Sequence, residues 1–163
     1  MADSTNYYQA PTPAPELKQL DFLVGTWQTK GSFRASEYGP AGTVEGEHSF
    51  EWFNDFFLKH SWKEALGNGV EYIGYDEPNK RFHTHYFDSN GPYDEEGSTY
   101  EGEMRGKNAV FCGPARITYI PSVDGATMKV TAEMSSKQQR HQGLDAPDAD
   151  WQDWLEVTYT KVG

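Results

Sequence analysis

From Thr26 onward, apolar and polar residues alternate with a period of two, in short segments separated by turn-forming residues. Because successive side chains of a strand point to opposite faces, this pattern predicts strands with one buried face. The predicted strands are Thr26–Ala35, Thr43–Phe53, Phe56–Leu66, Val70–Asp76, Arg81–Asp88, Ser98–Arg105, Ala109–Cys112, Arg116–Ile120, Thr127–Ser135 and Trp154–Val162. About ten strands with short connections favour an all-β fold, an antiparallel up-and-down barrel, because closure removes both exposed sheet edges.

Turn-forming residues mark the breaks between these segments. Gly67–Gly69, which reads Gly-Asn-Gly, predicts the turn between the third and fourth strands, because these residues tolerate positive φ. Two longer polar stretches, Asp88–Gly97 and Ser136–Asp150, lack the alternation. They are predicted to form loops at the barrel mouth or a lid over it.

The N-terminal part of the chain has a different pattern. Leu17, Leu20 and Leu23 recur at helical spacing after Pro15, which suits the first turn of a helix, and Gly25 ends the segment. The sequence therefore predicts one short helix before the barrel. Residues 1–14 are polar and proline-rich and are predicted to be a disordered leader, and residues 15–163 a single barrel domain.

Composition narrows the classes of partner. With 14 Lys and Arg against 25 Asp and Glu, the formal net charge is −11, which argues against nucleic acid and membrane surfaces as partners. Aromatic residues make up 15% of the chain and can supply a core. The single cysteine, Cys112, excludes a disulfide within the chain and a zinc site built from several thiolates. With no signal-peptide pattern at the N-terminus, the expected location is cytoplasmic.

Three polar residues fall on the apolar face of their strands. His48 shares its face with Val44, Phe50 and Trp52, and His60 and Glu64 share theirs with Leu58 and Trp62. Adjacent strands lie about 4.8 Å apart, so both imidazoles could meet one ligand. The simpler interpretation is that each histidine is hydrogen-bonded to a neighbour and completes the packing.

The predicted interior is aromatic, with a few polar groups. Such a cavity suits a small hydrophobic or aromatic molecule held by a few oriented hydrogen bonds. The candidate lining residues are His48, His60, Trp62, Tyr72, Tyr86 and Tyr100. The sequence therefore predicts a binding protein for a small, largely apolar ligand.

An enzyme is the alternative. His48 or His60 could act as a general base with Glu64 or a tyrosine as its partner, in an isomerisation, a proton transfer or a hydrolysis without a cofactor. A hydrogen bond between a cavity histidine and a carboxylate, facing open volume, would favour this alternative. A homodimer, through an outer patch that includes Phe57 and Trp151, is a third hypothesis.

Metal and haem are further alternatives, although no cofactor is predicted. His83 and His85 lie two residues apart, on one side of a strand, and could ligate a divalent metal ion. The alternation does not decide whether this pair points into the barrel. No carboxylate or cysteine motif accompanies it.

Two segments resemble known families. LDFLVGTW (residues 20–27) is similar to the start of calycin-like barrels, in which a short helix plugs one end and a tryptophan packs beneath the first strand. IGYD (residues 73–76), followed by residues 82–91, resembles the pattern of the DUF1579 family of lipocalin-like proteins. The resemblance implies a ten-stranded barrel with a cavity and no established reaction or ligand.

Two other classes of barrel protein, haem-binding and fatty-acid-binding, share parts of this sequence pattern. Nitrobindin-like haem barrels share the Gly-Thr-Trp opening, and in them a histidine near the C-terminal strand ligates iron. The closing strand here, WLEVTYTKV, has no histidine. Fatty-acid-binding barrels hold the carboxylate of their ligand with two arginines and a tyrosine. In this chain only Arg116 and Tyr119 are possible counterparts of that set.

Overall fold

The protein, analysed as a computed structural model, is described over residues 10–37, 39–91, 93, 95–136 and 142–163. Most of the predicted leader, residues 1–9, lies outside these ranges. No helix within them is long and apolar enough to cross a membrane.

The predicted barrel is confirmed. Ten antiparallel strands close in the order β1-β10-β9-β8-β7-β6-β5-β4-β3-β2, so every strand pairs with its neighbours in sequence and β1 pairs with β10. The strands are β1 Gly25–Phe33, β2 Gly42–Asn54, β3 Phe57–Glu64, β4 Gly67–Asp76, β5 Arg81–Asp88, β6 Thr99–Arg105, β7 Asn108–Cys112, β8 Ala115–Pro121, β9 Thr127–Ser135 and β10 Trp151–Lys161.

The N-terminal segment Pro15–Leu23 is a 3₁₀ helix. Its three buried leucines, Leu17, Leu20 and Leu23, are spaced by three residues, which places them on one face of a helix with three residues per turn. They pack in the same core cluster as Trp27, at the start of β1. The indole N–H of Trp27 donates to Leu23 O at 2.8 Å, so the predicted closure of the barrel by helix and tryptophan is confirmed.

The turn between β3 and β4 differs from the prediction. It lies at residues 65 and 66, and Gly67 and Gly69 are already strand residues paired with Glu64 and Trp62. Gly67 does have a positive φ, of 145°, but it lies at the start of β4 rather than in the turn. This shift sets the pairing of the two strands and decides which side of β4 faces inward.

The two predicted loops join strands at the end of the barrel opposite the 3₁₀ helix. The first contains a four-residue helix, Glu95–Ser98, and the second a short 3₁₀ turn, Asp148–Asp150. Residues 137–141 of the second loop lie outside the described ranges. Trp151, placed by the hypothesis on an outer patch, is instead buried against Val110, Cys112 and Leu144, because the loop folds back over β7.

Candidate functional site

A cavity of about 160 Å³ occupies the half of the barrel opposite the 3₁₀ helix. Inward-facing side chains of the surrounding strands form its walls. They are His48, His60, Trp62, Glu64, Glu71, Tyr86, Tyr100, Ile117, Tyr119, Val130, Ala132, Trp154, Leu155, Val157 and Tyr159. An apolar cavity of about 150 Å³ accommodates benzene, so this volume suits a molecule of about one ring.

Four of these side chains form a continuous line of hydrogen bonds, here called the Glu–His–His–Glu chain. Glu64 Oε1 lies 2.6 Å from His48 Nε2, and His48 Nδ1 lies 2.8 Å from His60 Nε2. His60 Nδ1 lies 2.9 Å from Glu71 Oε1. All four ring nitrogens are therefore occupied, and the two imidazoles connect two carboxyl groups.

The strand register brings these four groups together. His60 on β3 lies directly opposite Glu71 on β4 and, on its other side, opposite Phe50 on β2. His48 lies two residues before Phe50 on the same face of β2, so its ring reaches His60 diagonally across the strand pair. The prediction that His48, His60 and Glu64 point inward is confirmed.

Glycines on the neighbouring strands leave room for the large side chains of β3. Gly46 lies opposite Glu64, and a Cβ atom at position 46 would lie 2.8 Å from Glu64 Cγ. Gly69 lies opposite Trp62, and a Cβ there would collide with the indole. Both side chains can therefore lie across the neighbouring backbone while lining the cavity.

Aromatic rings hold the histidines in place. The Phe50 ring stacks on His60 with centroids 4.0 Å apart, and Trp62 stacks on Tyr86 with centroids 5.1 Å apart. The Tyr159 ring lies 4.8 Å from His48. These contacts restrict the imidazole orientations and give the cavity flat aromatic walls.

Two phenols near the chain are held neutral. Burial is the main cause that raises the pKa of Tyr159 and of Tyr119 well above the ordinary value of 10.0. The nearby Glu71 carboxylate raises both pKa values further. Tyr159 Oη lies 3.0 Å from His48 Nδ1. His60 Nε2 contacts the same nitrogen, so His48 Nδ1 has two hydrogen-bonding neighbours. Tyr119 Oη makes no hydrogen bond to another described residue. Both hydroxyls can donate to a ligand.

His48 is favoured in its neutral form. Burial lowers its pKa below the ordinary 6.5, and this effect outweighs the hydrogen bond with Glu64, which raises it. The unfolded chain therefore binds more protons than the folded one from pH 6.5 down to the lowered pKa. Within that window the free energy of unfolding decreases as the pH falls.

We expect the melting temperature to decrease as the pH is lowered through about 6.5 toward 5, as this difference in proton binding requires. Thermal unfolding followed by circular dichroism across this range measures it. In His48→Gln the decrease should be smaller than in the parent, whereas His85→Gln, on the outer face, should keep the full dependence. An equal pH dependence in His48→Gln and the parent would contradict the assignment to His48.

The other predicted lining residues are divided between the two faces. Trp62, Tyr86 and Tyr100 line the cavity. Tyr72 does not: it lies on the outer face, paired with Lys59, and its ring contacts Phe53. The neighbouring Glu71 takes the inward position, because the turn at residues 65 and 66 sets the register of β4.

The histidine pair of β5 points outward. Thr84 between them is fully buried opposite Ile73, which puts His83 and His85 on the outer face, with ring centroids 5.0 Å apart. In the described part of the chain no group of three His, Cys, Asp or Glu side chains is arranged to hold a metal ion.

Haem does not fit the cavity residues. Both nitrogens of His48 and of His60 are already hydrogen-bonded, and the remaining described histidines lie outside the barrel. The volume of about 160 Å³ suits one ring rather than a porphyrin. Nor does Arg116 enter the cavity: it pairs with Glu133 at 2.6 Å and with Asp148 at 2.7 Å on the outside.

Cys112 does not contribute a reactive thiol. It is buried beneath Trp151, away from the cavity lining. Burial raises the pKa of its thiol to about 11, so the nucleophilic thiolate is scarce at neutral pH.

Sequence reasoning missed Glu71 and Tyr159 as site residues. In the alternation of the last strand Tyr159 shares a face with Leu155 and Val157, so this apolar face and the phenol were the available signals. Glu71 was not predicted because the sequence did not indicate the register of β4 that turns this residue inward. Trp154 also lines the cavity, because the register of β10 against β9 shifts between Asp153 and Leu155.

The family pattern described as "Protein of unknown function (DUF1579)" matches residues 12–161. The chain belongs to the DUF1579 family. No curated protein matches it.

This DUF1579 protein is similar in structure to Rv2717c from M. tuberculosis, with a TM-score of 0.61 and 14% identity, over 93% of this chain and 100% of that chain. A fluorescence-activating β-barrel designed de novo has a TM-score of 0.42 and 12% identity, over 87% of this chain and 95% of that chain. The likeness to Rv2717c, at this identity, bears on the fold alone.

Proposed function

We propose that this DUF1579 protein binds a small, neutral, largely apolar molecule of about one ring inside the barrel. The observation that carries the proposal is the cavity of about 160 Å³, whose aromatic and aliphatic walls enclose a few polar groups. Trp62, Tyr86 and Tyr100 offer flat surfaces to a ring, and the neutral hydroxyls of Tyr119 and Tyr159 offer hydrogen-bond donors to a carbonyl or hydroxyl oxygen.

The charge of the site favours neutral over anionic ligands. Glu64 and Glu71 line the cavity, and the chain as a whole carries a formal charge of −11. A ligand carboxylate would meet these like charges in a poorly hydrated space, where their repulsion is strong. Among ligands of one ring, phenol should therefore bind more tightly than benzoate.

Filling the cavity should abolish binding. Ala132 on β9 faces the cavity, and Ala132→Phe places a ring where the ligand would lie. We expect phenol to bind at least about tenfold more weakly to this variant, at a stability cost of about 1–3 kcal/mol from overpacking. Titration calorimetry or ligand-observed NMR gives the affinity, and thermal unfolding the stability.

Thr131→Phe is the matched control. Thr131 is the neighbouring residue on the outer face of β9, so the same substitution there leaves the cavity unchanged. Parent-like binding by Ala132→Phe, or equal loss in both variants, would overturn the proposal that the ligand lies inside the barrel.

A second candidate function is acid–base catalysis on the bound ligand. The Glu–His–His–Glu chain favours it, because a cavity histidine lies within hydrogen-bond distance of a carboxylate and the carboxylates face open volume. A histidine acting directly as the base is not supported, because all four imidazole nitrogens are already hydrogen-bonded. The groups with access to a ligand are the carboxylates.

A further inference from the structure

Several hydrogen-bonding groups that line the cavity have no partner among the described residues. Glu71 uses only Oε1 within the Glu–His–His–Glu chain, so its Oε2 is open, and the same is true of Glu64 Oε2. The hydroxyl groups of Tyr100 and Tyr119 make no hydrogen bond to another described residue, although both side chains line the cavity. Tyr119 is only 3% exposed. A buried polar group without a partner is costly, so a ligand that pairs with these groups gains affinity.

The strand pairing places Glu71 beside the aromatic wall of the cavity. Glu71 on β4 lies opposite Tyr86 on β5. The Tyr86 ring stacks on Trp62 and lies 6.2 Å from the Tyr100 ring. The Tyr86 hydroxyl is already used, because it donates to Asp88 Oδ2 at 2.7 Å. Tyr86 therefore contributes a flat ring to the wall, and the open hydrogen-bonding groups beside it are those of Glu71 and Tyr100.

The electrostatics of the two unpartnered hydroxyls associates them with Glu71 rather than with Glu64. Burial is the main cause that raises the pKa of Tyr100 and of Tyr119, and the charge of Glu71 is the next largest cause for both. For Tyr159 the next largest cause is the charge of Glu64. Because the effect of a charge decreases with distance, Glu71 is the carboxylate that belongs with the hydroxyls of Tyr100 and Tyr119.

Together these groups match a ligand atom that both donates and accepts a hydrogen bond. A carboxylate oxygen only accepts, whereas a neutral tyrosine hydroxyl can donate. A ligand hydroxyl group has one proton to donate to Glu71 Oε2 and lone pairs to accept from Tyr100 and Tyr119. An ether or carbonyl oxygen lacks the proton, and a methyl group lacks both. The hydrogen bond from a hydroxyl to a carboxylate is also charge-assisted, and about twice as strong as a neutral one.

We propose that the cavity selects monocyclic phenols, with the ring against the aromatic wall and the hydroxyl group between Glu71 Oε2 and the hydroxyls of Tyr100 and Tyr119. The proposal rests on the proposed function, ligand binding inside the barrel, and names its ligand class. Glu71 determines the specificity, because it is the acceptor that only a donor satisfies. His60 positions Glu71, because its Nδ1 lies 2.9 Å from Oε1 and leaves Oε2 for the ligand.

A ligand series on the unaltered full-length protein tests the selection without depending on how variants fold. The probes are phenol, anisole, whose oxygen accepts but cannot donate, and toluene, which does neither. We expect phenol to bind at least about tenfold more tightly than either, because the other two leave the carboxylate and the hydroxyls unpaired. Titration calorimetry or ligand-observed NMR gives the three affinities.

Each other outcome of this series is decisive. Toluene that binds as tightly as phenol, and is lost in Ala132→Phe, would overturn the selection of phenols and leave the proposed binding function intact. Anisole that binds as tightly as phenol would show that the ligand oxygen only accepts, and would overturn the role of Glu71. Absence of binding by all three would overturn both proposals.

Variants then assign the preference to particular side chains. The quantity compared is the ratio of phenol affinity to toluene affinity, because a general change in cavity shape weakens both ligands. Glu71→Gln should lower this ratio at least about tenfold, and Tyr119→Phe about fivefold, the usual difference between charged and neutral hydrogen bonds. The same chemical changes outside the cavity lining, Glu103→Gln and Tyr72→Phe, are the matched controls and should keep the parent ratio. A parent-like ratio in either cavity variant, or an equal decrease in its control, would overturn the proposal.

Discussion

Replacing Trp27 by alanine should lower the free energy of unfolding by about 3–5 kcal/mol, the usual cost of deleting a large buried aromatic side chain. Trp27 is 1% exposed, at the junction of the 3₁₀ helix and the barrel. Its ring packs against Tyr159, the ammonium group of Lys161 lies 5.1 Å from the ring centroid, and its N–H donates to Leu23 O. The substitution leaves a cavity and an unpaired carbonyl together. Urea unfolding followed by circular dichroism measures the loss.

Trp52→Ala is the control for this prediction. Trp52 also contacts the 3₁₀ helix, since its N–H donates to Asp21 Oδ1 at 2.9 Å, but this bond is exposed and the side chain is only partly buried. We expect a smaller loss than for Trp27→Ala. Trp27→Phe should lie between the two, because it restores most of the volume but not the hydrogen bond. Equal losses in Trp27→Ala and Trp52→Ala would show that the 3₁₀ helix, rather than the packing of Trp27 in the core, determines the effect.

Trp27 also illustrates what sequence alone could predict. The leucine spacing predicted the helix, and the resemblance of residues 20–27 to calycin-like barrels placed the tryptophan between helix and barrel. In β2 and β3 the apolar residues fall on one face, so the inward directions of His48, His60 and Glu64 followed from the pattern. The closed barrel followed from ten short strands with short connections.

β4 shows where sequence reasoning failed. Val70 and Tyr72 on one side and Ile73 and Tyr75 on the other are equally apolar, so the alternation has no preferred face. The glycines at 67 and 69 resemble a turn, but the two-residue turn precedes them and shifts the register. Because such a shift exchanges the faces of a strand, Tyr72 was predicted inside in place of Glu71. The hydrogen-bonded chain could not be predicted, since its fourth member was hidden.

Breaking the Glu–His–His–Glu chain at one residue should destabilise the fold. His60→Leu leaves Glu71 and His48 without their partner in a poorly hydrated interior, where the side chain of Glu71 is 12% exposed. We expect a loss of about 2–4 kcal/mol in the free energy of unfolding, the range for an unpaired buried polar or charged group. Glu101→Gln is the control, because its ion pair with Arg81 is about one-third exposed and should contribute less than about 1 kcal/mol.

Replacing the whole chain should have the opposite effect. In the quadruple variant His48→Leu, His60→Leu, Glu64→Leu and Glu71→Leu, no partner is left unpaired, and the desolvation cost of the buried charges is removed. We expect its stability to equal or exceed that of the parent, as when a buried ion pair is exchanged for apolar residues of similar volume. Urea unfolding of the two variants and the parent makes the comparison, and a quadruple variant less stable than His60→Leu would contradict it. A quadruple variant as stable as the parent would show that the chain does not stabilise the fold, and its two open carboxyl oxygens in the cavity would then point to a role in contacting a ligand.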